Sequence, residues 1–167
     1  MSFATLGLSP ALVRAVREQG YHAPTAIQTA AIPAILRGGD VLGLAQTGSG
    51  KTAAFALPLL QRVLSGHVAD GRKLRGLVLA PTRELAIQTG DVLREFARWL
   101  PNPLKIAVAF GGVSINPQLM GLRGGCDIVV ATPGRLLDLF DHNALRFDAL
   151  DTLVLDEADR LLDLGFA

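Results

Sequence analysis

Short apolar runs alternate with helical patterns along this chain. Four of these runs, at residues 76–80, 106–110, 128–131 and 153–155, are of the buried-strand type. A fifth run, residues 40–44, lies directly before a glycine-rich loop and is also predicted to be a strand. Apolar strands that alternate with helices form parallel sheets covered on both faces. The pattern therefore predicts an α/β fold with a doubly wound parallel sheet.

Polar caps and glycines mark the helix boundaries. Ser9 and Pro10 supply an N-cap and a first-turn proline, and Gly20 ends that helix. Residues 65–71 are predicted to form a mobile surface loop, because glycine and polar residues interrupt the apolar pattern there. Further helices are predicted over residues 25–36, from the glycine-rich loop to about residue 64, over residues 83–100, between the strands at 106–110 and 128–131, and from residue 158 onward.

Composition narrows the functional classes. The chain has 167 residues, half of them apolar, which suits one domain with a substantial core. Its 16 Lys and Arg against 15 Asp and Glu leave a net charge of +1, so any nucleic-acid contact must come from a local surface. The absence of a leader pattern and of an apolar run of about 20 residues predicts a cytoplasmic protein without a membrane span. Cys126 is the only cysteine and the three histidines lack metal-ligand spacing, so neither an internal disulfide nor a zinc site is expected.

The glycine-rich loop has the residue types of a phosphate-binding loop. Gly48 and Gly50 allow positive φ, which turns successive backbone N–H groups toward one anion, and the following helix adds the positive end of its dipole. Lys51 would contact the outer phosphates, and the Thr52 hydroxyl would ligate Mg²⁺. An ordinary strand-to-helix turn is the alternative, because Ala45 stands where the strict pattern has glycine. The residues predicted to bind the nucleotide phosphates are Gln46, Thr47, Gly48, Ser49, Gly50, Lys51 and Thr52.

A polar cluster follows each predicted strand directly, at residues 46–52, 81–84, 111–112, 132–135 and 156–159. Because ligands bind at the carboxyl ends of the strands in α/β sheets, these clusters predict one functional edge. Each cluster taken alone also fits an ordinary helix cap or turn. Their recurrence after every strand favours the functional interpretation.

Asp156 and Glu157 are the candidate catalytic carboxylates. Asp156 ends an apolar strand, where a buried carboxylate is costly unless a cation such as Mg²⁺ offsets its charge. Glu157 would orient or deprotonate the water that attacks the terminal phosphate. The alternative is that these acids only place negative charge at a helix N-terminus. Together with Lys51, the pair predicts nucleotide hydrolysis.

Residues 156–159 read Asp-Glu-Ala-Asp, the motif after which the DEAD-box RNA helicases are named, and residues 3–166 resemble that family, its bacterial members in particular. Residues 20–28 resemble its adenine-reading Q motif, although Ala26 replaces the usual proline, which is expected to soften the loop. The adenine-binding residues implied by the resemblance are Phe3, Tyr21, Thr25 and Gln28. The RNA-binding residues that it implies are Pro81, Thr82, Arg83, Gly111, Gly112, Thr132, Pro133, Gly134 and Arg135.

Some of these residues also have a physical interpretation of their own. The Gln28 amide suits adenine N6 and N7, but Thr25 and Gln28 also have capping-box spacing, which needs no ligand. The helices that start after residues 82 and 132 offer free N–H groups to phosphates, with Arg83 and Arg135 nearby. No aromatic platform for stacking bases is apparent, so RNA binding is predicted to follow the backbone without sequence preference.

The resemblance implies an ATP-dependent RNA helicase that uses ATP and Mg²⁺ and unwinds short duplexes. It also implies that residues 1–167 form an N-terminal RecA-like P-loop NTPase domain, with a Q-motif region at 1–39 and a core at 40–167. The family's Ser-Ala-Thr motif and its second RecA-like domain, which carries arginine fingers, are absent. The domain is therefore expected to be truncated at its C-terminal end and nearly inactive alone. An ATP-gated RNA clamp and a P-loop ATPase acting on DNA are the alternative functions.

Overall fold

A computed structural model describes residues 2–66 and 71–165 of the chain. The chain divides into two compact units, which are described separately. Unit 1 comprises Met1–Gly66 and Val92–Pro103, and unit 2 comprises His67–Asp91 and Leu104–Ala167. The expectation of one domain over residues 1–167 stays a prediction. The predicted surface loop at 65–71 falls largely on residues 67–70, outside the described residues.

Unit 1 is helical. A 3₁₀ turn is followed by helices α1, α2 and α3, and the Ser9 hydroxyl accepts a hydrogen bond from the Leu12 N–H at 3.4 Å, which confirms the predicted cap of α1. Helices α2 and α3 pack against each other. The bounds are Phe3–Leu6 for the 3₁₀ turn, Pro10–Glu18 for α1, Ala26–Leu36 for α2 and Lys51–Ser65 for α3, and fully buried side chains include Leu12, Val16, Ile32, Leu57 and Leu60.

The predicted strand at residues 40–44 is wrong. The segment has no strand assignment and pairs with none of the described strands. Its side chains Leu42 and Leu44 are 84% and 86% exposed. A strand exists only where a neighbouring chain accepts its backbone hydrogen bonds, and an apolar run without such a neighbour stays extended but unpaired.

Unit 2 is built on a parallel sheet of the order β2-β3-β1-β4. A helix follows each strand, which confirms the α/β class and the parallel sheet. The strands are β1 (Gly76–Leu79), β2 (Ile106–Ala109), β3 (Ile128–Ala131) and β4 (Thr152–Leu155), and the helices are α4 (Arg83–Ala97), α5 (Asn116–Leu122), α6 (Pro133–Asp141) and α7 (Ala158–Asp163). Helix α4 begins in unit 2 and ends in unit 1.

The sheet of unit 2 is buried at its centre and open at one side. Leu77 and Val129 pack with Leu122 of α5 and Leu139 of α6 in one apolar cluster. Every residue of β3 is buried, so the sheet is covered on both faces there, as its continuous apolar run predicts. On edge strand β4, however, Leu153 and Leu155 are 54% and 52% exposed. No helix among the described residues is long and apolar enough to span a membrane.

Candidate nucleotide and nucleic-acid sites

The glycine-rich loop of unit 1 has the predicted backbone form. Gly48 and Gly50 have φ of +79° and +88°, a region that residues with a Cβ rarely adopt. Helix α3 begins at Lys51, so its free N-terminal N–H groups lie directly after the loop. The Lys51 ammonium donates a 2.7 Å hydrogen bond to the carbonyl of Ala45, the first residue of the loop. This bond joins the two ends of the loop.

The loop also has the features expected of a phosphate site. The Ser49 hydroxyl oxygen is buried and has no hydrogen-bond partner among the described residues, an unusual state for a buried polar atom. A Cβ at Gly48 would meet nothing within 4 Å, whereas one at Gly50 would collide with the Gln28 amide. Gln46 and Thr47 are exposed. An orphaned hydroxyl, open space over one glycine and a helix N-terminus fit an anionic ligand.

Gln28 holds the loop from helix α2. It is fully buried, and its Oε1 accepts a 3.0 Å hydrogen bond from the Thr25 N–H, which confirms the capping box at the start of α2. Its Nε2 donates a 3.1 Å hydrogen bond to the Gly50 carbonyl, a contact that the sequence did not reveal. Both ends of the amide therefore bind protein backbone. Adenine contact by Thr25 and Gln28 stays a prediction.

The two aromatic residues of the predicted adenine site belong to one cluster. Phe3 is only 5% exposed, and its ring meets Tyr21 edge-on with centroids 6.4 Å apart. Tyr21 is half-buried and also contacts Phe96 at 5.9 Å, a partner that lies too far along the chain for local patterns to indicate. Adenine contact by Phe3 and Tyr21 stays a prediction.

Four of the five polar clusters lie at one edge of the sheet in unit 2. They are residues 81–84 after β1, 111–112 after β2, 132–135 after β3 and 156–159 after β4. Because the four strands are parallel, their carboxyl ends meet at the same edge, as the sequence predicted. The fifth cluster, the glycine-rich loop, follows the unpaired segment in unit 1 instead.

Asp156 and Glu157 have partners that the sequence analysis missed. Asp156 is 8% exposed, and the Thr89 hydroxyl on α4 donates to its carboxylate at 3.3 Å. Glu157 has φ of +49°, rare for a residue with a Cβ, and Arg160 donates to its carboxylate at 2.7 Å. This hydrogen bond raises the pKa of the Arg160 guanidinium above its ordinary value. The i,i+3 spacing of Glu157 and Arg160 was the available signal, whereas Thr89 gave none.

The predicted RNA-contacting residues are not equally accessible. Thr82 caps α4, because its hydroxyl accepts the Leu85 N–H at 3.2 Å, and the neighbouring Arg83 is exposed. Arg135 is only 7% exposed and donates to the Val113 carbonyl at 2.8 Å. Its Nη1 is buried without a partner among the described residues. Gly111, Gly112 and Gly134 are exposed, Thr132 is half-buried, and Pro81 and Pro133 are buried. RNA contact by any of them stays a prediction.

The structure gives little support for a metal site formed by clustered side chains or for a reactive cysteine. The described residues contain no group of three or more His, Cys, Asp or Glu that could hold a metal ion. The predicted Mg²⁺ ligands, Thr52 and Asp156, lie in different units, and their role stays a prediction. Burial raises the pKa of the Cys126 thiol to about 11, with Lys105 acting in the opposite direction. This thiol is therefore neutral at physiological pH, which argues against a nucleophilic role.

Comparison with known proteins gives consistent matches. A family profile described as "DEAD/DEAH box helicase" matches residues 25–167. "ATP-dependent RNA helicase DeaD" of Mycobacterium tuberculosis is 46% identical over 167 residues, covering 99% of this chain and 29% of the relative. "DEAD-box ATP-dependent RNA helicase 24" of Oryza sativa subsp. japonica is 47% identical over 171 residues, covering 99% of this chain and 21% of the relative. A crystal structure of a DEAD box protein from the hyperthermophile Methanococcus jannaschii matches with a TM-score of 0.87 and 40% identity, covering 99% of this chain and 44% of that one. The chain thus spans less than half the length of each of these proteins.

Proposed function

Because the chain belongs to the DEAD/DEAH box helicase family, we propose that it is the nucleotide-binding part of an ATP-dependent RNA helicase. The observation that carries the proposal is the loop of unit 1, in which two glycines at positive φ lead directly into Lys51 at the start of α3. Such a loop selects an anion of phosphate size and leaves the rest of the ligand to other residues.

The loop residues supply the phosphate contacts. The free N–H groups at the start of α3 and the buried Ser49 hydroxyl donate to phosphate oxygens, and Lys51 exchanges the Ala45 carbonyl for the outer phosphates. Its present hydrogen bond holds the ammonium close to the loop, so little side-chain entropy is lost when ATP binds. Thr25 and Gln28 extend this contact to adenine through the Q motif, to which Phe3 and Tyr21 also belong.

The carboxylates of unit 2 supply the hydrolytic groups. Thr52 and Asp156 are the residues that would hold Mg²⁺, which neutralises phosphate charge when it is bound. The Glu157 carboxylate accepts a proton from the water whose oxygen bonds to the γ-phosphorus. The bond from that phosphorus to the bridging oxygen then breaks, which releases ADP and inorganic phosphate. Arg160 orients that carboxylate through their 2.7 Å hydrogen bond.

The sheet edge of unit 2 supplies the RNA contacts. Exposed backbone at residues 111, 112 and 134 and the Arg83 guanidinium face solvent there. Contacts of this kind reach sugar and phosphate rather than base edges, so binding is expected to be nearly independent of sequence. A second RecA-like domain completes the ATP site and the RNA site. To the ATP site it contributes an arginine finger, which is worth about 10³–10⁵ in rate in other phosphoryl-transfer enzymes.

The test is made on the full-length protein that contains this sequence. ATP hydrolysis is measured alone, with single-stranded RNA and with single-stranded DNA of the same sequence, and displacement of a labelled strand from a short RNA duplex is followed in parallel. The proposal expects stimulation by RNA and ATP-dependent displacement. RNA-stimulated hydrolysis without displacement would indicate an ATP-gated clamp, and equal stimulation by DNA would indicate a DNA-directed ATPase, because only RNA offers 2′-hydroxyl contacts.

A further inference from the structure

Two residues near the turn after strand β2, Phe110 and Gln118, have no role in the proposed function. β2 ends at Ala109, so Phe110 lies beyond the last paired residue of the strand. The Phe110 N–H donates to Gln118 Oε1 at 3.2 Å, and Gln118 Nε2 donates to the Phe110 carbonyl at 3.1 Å. One side-chain amide on α5 thus makes the pair of hydrogen bonds that a neighbouring strand would make.

The guanidinium of Arg83 lies over the ring of Phe110. The Arg83 guanidinium carbon lies 4.5 Å from the centroid of the Phe110 ring, within the distance of a cation–π interaction. Within residues 2–66 and 71–165, the Arg83 guanidinium has neither a hydrogen bond nor an ion pair with the protein, and the residue is exposed. Because the ring uses only its π face, the N–H groups of the guanidinium stay free to bind an acceptor.

These contacts connect α5 to the start of α4. Gln118 fixes the backbone of Phe110, the backbone fixes the ring, and the ring restricts the guanidinium of Arg83. An unrestricted Arg side chain has a large rotamer entropy, part of which would be lost on binding a phosphate. Holding the guanidinium in advance reduces that loss and strengthens binding without adding a contact to the ligand.

We propose that Phe110 and Gln118 are positioning residues that hold Arg83 ready for an RNA phosphate. The inference rests on the proposed function, because it needs RNA to bind at this edge of the sheet. Neither residue touches RNA through its side chain in this arrangement, and neither was predicted from the sequence. The competing explanation is that both residues only stabilise the turn.

The test measures binding of a fluorescently labelled oligouridylate to the full-length protein at several salt concentrations. The variants are Phe110→Leu, Phe110→Tyr, Gln118→Met, Arg83→Ala and the double variant Phe110→Leu/Arg83→Ala. Phe147→Leu is the matched control, because Phe147 is half-buried in unit 2 and stacks on Phe140 at 5.6 Å, away from the strand-end turns. Melting temperatures are recorded for every variant.

Phe110→Leu is expected to weaken RNA binding about two- to fivefold, the range that an exposed cation–π contact is worth. Phe110→Tyr keeps the ring face and should bind like the wild type, whereas Gln118→Met should weaken binding in the same direction. Arg83→Ala should lower the slope of log K against log salt by about 0.7, the contribution of one phosphate on a single strand. In the Arg83→Ala background, Phe110→Leu should have no further effect.

Three results would overturn the inference. Equal effects of Phe110→Leu with and without Arg83 would mean that the ring only stabilises the turn. Unchanged binding by Phe110→Leu would remove the ring from RNA recognition, and tighter binding would mean that the ring withholds Arg83 from RNA. A wild-type protein that binds no RNA is a different result, because it contradicts the proposed function itself and takes this inference with it.

Discussion

The glycine-rich loop of unit 1, which is the proposed phosphate loop, and the strand-end loops of unit 2 are shaped in different ways. The phosphate loop is shaped mostly by its own residues, through Gly48 and Gly50 at positive φ and the hydrogen bond from Lys51 to Ala45. Within the described part of the chain, Gln28 is the distant side chain that holds this loop, through its hydrogen bond to the Gly50 carbonyl. A loop of this kind keeps its form within a few consecutive residues.

The strand-end loops of unit 2 are held by side chains from other elements. Arg135 on α6 binds the Val113 carbonyl from 22 residues away. Thr89 on α4 binds the Asp156 carboxylate from 67 residues away. Substitutions in the first loop should therefore act on the ligand, whereas substitutions of the distant holders should act on stability and position.

Glu157→Gln in the full-length protein should lower kcat for RNA-stimulated ATP hydrolysis by about 10²–10⁴, the usual contribution of a general base. The amide keeps the shape of the side chain but cannot accept the proton from water, so ATP and RNA affinities should stay near the wild-type values. Phosphate release and equilibrium binding measure the two parts separately.

Arg160→Gln is the matched control for Glu157, because it breaks the same 2.7 Å hydrogen bond and leaves the carboxylate in place. It should reduce kcat far less than Glu157→Gln. Equal losses in the two variants would mean that Glu157 serves only as the partner of Arg160 at the start of α7.

Lys51→Ala should weaken ATP binding about 10- to 100-fold, because a hydrogen bond to a charged group contributes about 1.5–3 kcal/mol. Calorimetric titration of the 167-residue chain measures the affinity, and thermal unfolding shows whether the fold survives. Lys73→Ala removes an exposed lysine outside the loop and should change neither quantity. Wild-type affinity in Lys51→Ala would contradict the assignment of the phosphate loop.

Gln28→Ala should affect both stability and ligand binding, because Gln28 is a distant side chain that holds the phosphate loop from α2. It should lower the free energy of unfolding by about 1–3 kcal/mol, because the Thr25 N–H and the half-buried Gly50 carbonyl both lose their hydrogen-bond partner. It should also reduce the preference for ATP over GTP. Gln19→Ala is the control, because it removes an exposed glutamine whose side chain hydrogen-bonds to Glu95 and not to the loop. A destabilised variant that keeps the full preference for ATP over GTP would mean that Gln28 caps α2 and supports the loop but does not contact adenine.

Thr89→Val should lower the free energy of unfolding by about 1 kcal/mol, the net value of a typical hydrogen bond, with little change in ATP affinity. Urea unfolding measures it, and Thr152→Val, which loses an exposed hydrogen bond to Asp151, should cost less. If Thr89→Val were neutral in stability but lost ATP affinity, Thr89 would belong to the ligand site rather than to the supports of the loop.

The elements that the sequence predicted well are those whose signals are local. The strands predicted at 76–80, 106–110, 128–131 and 153–155 are short apolar runs with turns on both sides, and the structure contains a strand at each of these places. Residues 40–44 have the same kind of run but form no strand, because a strand also needs a paired neighbour. Apolar pattern predicts the capacity to form a strand, and pairing decides whether one forms.

Within the candidate sites, the features with local signals were predicted and the contacts between separate elements were not. The positive φ of Gly48 and Gly50 and the start of α3 at Lys51 follow from consecutive residues, so the motif was sufficient to predict them. The contacts of Thr89 and Gln118 depend on how separate elements pack, and a single sequence contains no signal for them. The burial of Arg135 was hidden for the same reason, since its position after a strand looks equal to that of Arg83.

The most direct test of the central claim is steady-state phosphate release with saturating RNA, measured side by side for the full-length protein and for the 167-residue chain. We expect strong RNA stimulation in the full-length protein and essentially none in the 167-residue chain, because the proposed mechanism needs an arginine finger from a second RecA-like domain. Turnover by the shorter chain comparable to that of the full-length protein would contradict the two-domain mechanism. Absence of RNA stimulation in the full-length protein would contradict the proposed helicase function.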